Sequence, residues 1–60
     1  MKDMTLQELI TELRKWADGA ISTLTAFERE DTVALKLELL RNTSVKFDMC
    51  NKYIDELLER

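Results

Sequence analysis

The stretch Thr32-Val-Ala-Leu-Lys-Leu-Glu-Leu-Leu-Arg41 decides the fold, because two kinds of element claim it. Its residue types favour a helix, since Ala34, Leu35, Lys36, Leu37 and Glu38 are all good helix formers. Its spacing favours a strand. Val33, Leu35, Leu37 and Leu39 recur at every second position and share one face of an extended chain, leaving Ala34, Lys36, Glu38 and Leu40 on the other. Wound as a helix, the same residues split: Val33, Leu37 and Leu40 face one way, Leu35 and Leu39 nearly the opposite way. The alternation predicts a strand over about residues 32–39, with an uninterrupted helix as the alternative.

On the N-terminal side the apolar spacing is helical. Leu6, Leu9, Ile10, Leu13, Trp16, Ala17, Ala20, Ile21, Leu24 and Phe27 recur at three and four, which predicts a helix over about residues 5–29. Thr5 followed three residues later by Glu8 is the capping-box arrangement that starts such a helix. At 100° per residue Leu6, Leu13, Ala17, Ala20 and Leu24 form the centre of a stripe roughly 140° wide, flanked by Leu9, Trp16 and Phe27 on one side and by Ile10 and Ile21 on the other. Gln7, Thr11, Lys15, Ser22 and Arg29 face water. Gly19 costs about 1 kcal/mol within a helix, so it marks a weak point or a close approach by another part of the chain. The charged run Glu28-Arg-Glu-Asp31 reads as the corner between elements.

On the C-terminal side Asn42, Thr43 and Ser44 are consecutive capping and turn residues, and they predict a break followed by a second helix over about 44–59. Phe47, Met49, Cys50, Tyr53, Ile54, Leu57 and Leu58 cover about half its circumference, more than one neighbouring helix can bury.

These elements form one domain, residues 1–60, of mainly α class: two amphipathic helices joined by a short strand-like segment in an intertwined homodimer. The alternative is an all-α helical hairpin that dimerises to a four-helix bundle. A sixty-residue chain buries only about 60% of its unfolded surface alone, and with one cysteine, no histidine and no proline it has neither disulfide nor metal to supplement its core. A second copy fills that need. The expected dimer core is Leu13, Trp16, Leu24, Val33, Leu35, Leu37, Leu39, Phe47, Ile54 and Leu57. Met49 and Tyr53, at the edge of the second helix, are the expected partner-binding patch.

The composition removes most catalytic readings. Without histidine, with Cys50 lacking an imidazole partner and with no glycine-rich loop, no nucleophile, base or phosphate cradle assembles, so neither catalytic residues nor a metal nor a cofactor is expected. The carboxylate pairs Asp55 with Glu56 and Glu28 with Glu30 read as solvated surface, and Cys50 as a core thiol. Nine basic against twelve acidic residues, interleaved along the chain, disfavour a nucleic-acid-binding helical dimer, the second functional reading. Neither a leader peptide nor a membrane span is evident, and the expected location is the cytoplasm.

The opening stretch Met1-Lys-Asp-Met-Thr-Leu-Gln-Glu-Leu-Ile-Thr-Glu-Leu-Arg-Lys-Trp-Ala-Asp-Gly-Ala20, a third of the chain, resembles the N-termini of small early proteins of lambda-like temperate phages, encoded between exonuclease and excisionase. The resemblance implies a phage-encoded regulatory homodimer in the host cytoplasm that favours lytic development by contacting a host or phage protein. It carries over no catalytic residues.

Overall fold

Thr5 starts the first helix through the reciprocal cap. In the computed structural model, which describes residues 3–59, Thr5 Oγ1 accepts from the Glu8 amide at 3.1 Å while Glu8 Oε1 accepts from the Thr5 amide at 2.9 Å. Helix α1 then runs Leu6–Arg29. Met1 and Lys2 of the phage-like stretch, and Arg60 of the expected domain, lie outside the described residues.

The charged corner ends α1 as its composition predicts. Glu30 turns extended, and its carboxylate Oε1 accepts from the amides of Asp31 and Thr32, each at 3.1 Å, so one side chain satisfies two donors of the turn. From Thr32 the chain enters helix α2, Val33–Leu58.

Residues 33–39 are therefore helical, with Thr32 their extended N-cap, and the expected strand is not formed. The described residues contain no other strand to pair with one at 32–39, whereas a helix satisfies its own backbone groups. The alternating leucines need no common face, because α2 has more than one apolar side: Leu39 is half-buried, while Leu37 and Leu40 are exposed. The break expected at residues 42–44 is also absent, and the second helix starts at Val33 rather than near 44. Thr43 is 2% exposed, and its hydroxyl donates to the Leu39 carbonyl at 2.8 Å. A threonine that bonds back to its own preceding turn sits within a helix as readily as at its start.

The two helices pack as an antiparallel hairpin about 42 Å long. Leu9 and Ala20 of α1 and Thr43, Cys50 and Tyr53 of α2 are the buried residues of its seam, with Trp16, Phe27, Leu39 and Leu57 half-buried. Gly19 faces the Lys46 side chain across the seam. A Cβ there would lie 3.3 Å from the Lys46 methylenes, so hydrogen at this position lets the lysine stem lie across α1. Lys46 Nζ reaches on to Thr23 Oγ1 at 3.0 Å, an aliphatic stem covering the seam while its charge travels outward.

A candidate interaction face

Helix α2 covers only one flank of the α1 stripe. Leu9, Trp16 and Phe27 turn toward it, whereas Leu6, Ile10 and Leu24, about 80–90° further round the helix, remain exposed, with Ile21 beyond them at 62% exposure. Leu13 lies between the two sets and Ala17 among the second, and both are half-buried.

The second helix divides more sharply. Lys36, Leu39, Thr43, Lys46, Cys50, Tyr53 and Leu57 are the buried or half-buried residues on its side of the seam, a mixed set with two lysines. Its more apolar stripe points elsewhere. Val33, Leu37, Leu40, Phe47, Ile54 and Leu58 are all exposed, Phe47 at 49% and Leu58 at 78%. With Ser44 and Asn51 they follow an unbroken alternation of four and three, the spacing that holds one face toward a partner helix.

These two stripes lie on the same side of the hairpin. Each is displaced from its seam by about 80–95° in the direction of increasing residue number, and because the helices run antiparallel those rotations have opposite hands and bring both stripes to one broad face. Two crossings fix the register: Lys46 over Gly19, and Lys36 Nζ donating to the Phe27 carbonyl at 2.7 Å. Each step up α1 is a step down α2. Leu6 thus stands level with Leu58, Ile10 with Ile54, Ala17 with Phe47 and Leu24 with Leu40. An open depression of about 480 Å³ lined by Gln7, Ile10, Thr11, Leu13, Arg14 and Ala17 runs along the α1 half.

Of the residues expected in a dimer core, Val33, Leu37, Phe47, Ile54 and Leu24 fall on this face, Leu13 on its inner margin, and Trp16, Leu39 and Leu57 against the hairpin seam. Leu35 is exposed but lies off the face. The expected patch at Met49 and Tyr53 takes a different form: Tyr53 is 7% exposed within the seam and Met49 is half-buried. Tyr53 is buried because it shares a side of α2 with Thr43, Lys46 and Cys50, the side that meets α1. Leu6, Ile10, Leu40 and Leu58 belong to the face and were not among the expected core residues. Leu6 and Ile10 already stood in the apolar stripe of the first helix; for Leu40 and Leu58 the signal was the four-and-three spacing from Val33 to Leu58, legible only once residues 32–44 are read as helix.

The polar groups are committed to local work. Lys36 caps the C-terminal end of α1 through the Phe27 carbonyl and also stands 4.4 Å from the Phe27 ring centroid, adding a cation–π contact. Arg14 pairs with Asp18 at 3.1 Å one turn on. Hydrogen bonds from the Thr5 amide and then the Thr5 hydroxyl region hold the Glu8 carboxyl below its ordinary value, as expected of a capping carboxylate. Cys50 is a buried free thiol, Glu28 and Asp55 are exposed, and Glu30 holds the turn. Among the described residues no group of three or more acidic or thiol side chains converges in a metal-holding arrangement, and no helix is long and apolar enough to cross a membrane.

No family model, curated protein or solved structure matches this chain.

Proposed function

We propose that this protein is a non-enzymatic regulator that acts by protein–protein contact as a homodimer, and that, in keeping with its phage-like N-terminal helix, it favours lytic development in a host cell. The observation that carries the contact reading is the broad apolar face. A hairpin that turns its more apolar α2 stripe outward presents more apolar surface than a monomer ordinarily leaves in water. The lysines support contact with protein over contact with phosphate, since Lys36 and Lys46 are spent inside the hairpin and Arg14 on Asp18.

The test is expression of the chain in a bacterial lysogen of a lambda-like phage. Wild-type protein is expected to raise the yield of free phage after induction. A substitution on the broad face, such as Leu40→Glu, is expected to remove that effect, while Lys15→Glu on the polar side retains it. An unchanged yield with wild-type protein, stably expressed, would overturn the lytic role.

A further inference from the structure

The broad face of the hairpin is left uncovered by the chain's own two helices. We infer that a second copy of this chain covers it, face to face, so that two hairpins make a four-helix bundle about 42 Å long. This rests on the contact reading above and assigns that contact its surface.

Shape is the first support. The hairpin exposes 4616 Å², whereas a compact folded chain of 7.1 kDa exposes about 4,100 Å². Its radius of gyration is 13.6 Å, against about 10 Å for a compact sixty-residue domain and about 14 Å for one of twice that length. The hairpin has the length of the larger body and half its mass. A face with a backbone outline of 42 by 15 Å is large enough to supply the roughly 800 Å² that each partner buries in a stable interface.

Periodicity is the second. On α1 the series Leu6, Ile10, Leu13, Ala17, Ala20, Leu24 repeats at four and three, as does the α2 series, and the hairpin register sets the two series level. Stripes with the same period and the same heights stack in layers against an identical pair, which a two-fold axis supplies without further adjustment. Large and small members complement one another where Phe47 stands level with Ala17.

Charge is the third. No ionisable residue interrupts either stripe, and the rim carries both signs, Arg14 and Arg41 with Asp48 and Asp55, as a surface that meets its own copy requires. A lipid surface fits less well, because interfacial helices carry an excess of lysine and arginine, and this chain has a net charge of −3.

Sedimentation equilibrium of the full chain between 1 and 100 µM tests the assignment. The expected result is a reversible dimer. Leu40→Ala and Ile54→Ala, which truncate the face without introducing charge, are expected to raise the dissociation constant at least tenfold, with helicity recovered at high protein concentration. Val45→Ala, at a residue 57% exposed on the opposite side, is expected to leave it within twofold. A helical monomer at 100 µM overturns the proposal, whether it stays free or sediments with vesicles of mixed neutral and anionic phospholipid. A dimer that Leu40→Ala and Val45→Ala weaken equally also overturns it, while leaving the contact reading of the protein in place.

Discussion

Gly19 and Thr5 illustrate how single residues set this hairpin. Glycine lowers helix stability by about 1 kcal/mol relative to alanine, and here it makes room for the Lys46 stem 3.3 Å from where a Cβ would lie. The obstruction is a flexible side chain rather than backbone. Gly19→Ala is therefore expected to stabilise the fold by a few tenths of a kcal/mol, the propensity gain less the cost of shifting the lysine. Thermal unfolding by circular dichroism reads the sign, and a loss of 1 kcal/mol or more would mean that Lys46 cannot move. The Thr5 cap makes the opposite prediction. Thr5→Ala leaves the Glu8 amide at the start of α1 without its acceptor and is expected to cost about 1 kcal/mol.

The same cap predicts a pH response. Hydrogen bonding lowers the folded-state pKa of Glu8 below its ordinary 4.5, so the folded state binds this proton less readily than the unfolded state does. The stability that Glu8 contributes is then fully present above the unfolded pKa and is lost as pH falls through the folded one. Unfolding midpoints measured from pH 6 down to pH 3 should decline less steeply in Glu8→Gln than in wild type. Equal slopes would show that the cap is not maintained in solution.

At the scale of the element, α1 was legible and the start of α2 was not. Capping box, apolar period and charged corner all agreed for residues 5–31, so three independent signals placed one helix. For residues 32–44 the signals conflicted. Two-residue alternation suggested a strand only on the premise that all apolar residues share one face, and that premise fails for a helix with apolar residues on more than one side. Likewise Asn42, Thr43 and Ser44 suggested a break, because a hydroxyl that caps a helix and one that bonds back within it have the same sequence signature. Leu35→Glu separates the two readings. In a strand it would place a charge in the shared core, whereas in α2 it lies exposed and off the broad face, so helicity and unfolding midpoint are expected to stay near native. Severe loss of helicity in that variant would contradict the continuous helix.

For the whole molecule, the unequal use of α2 is the feature that organises the rest. Its seam with α1 contains Lys36, Thr43 and Lys46, while Val33, Leu37, Leu40, Phe47, Ile54 and Leu58 point away. Sequence alone indicated an apolar excess on the second helix but could not say where it lay, since that depends on which side of α2 meets α1. In the folded chain the side of α2 that carries Lys36, Thr43, Lys46, Cys50 and Tyr53 meets α1, with the Lys46 stem lying against Gly19. A fold in which half of the core is supplied by another copy should not separate assembly from stability. Thermal unfolding of the wild-type chain over a hundredfold range of concentration, from about 1 to 100 µM, tests that most directly. The account predicts a midpoint that rises steadily with concentration, as mass action requires when dimer dissociates into unfolded chains. A midpoint independent of concentration, with full helicity retained at the lowest, would show that the hairpin is stable alone and that its broad face is not half of a shared core.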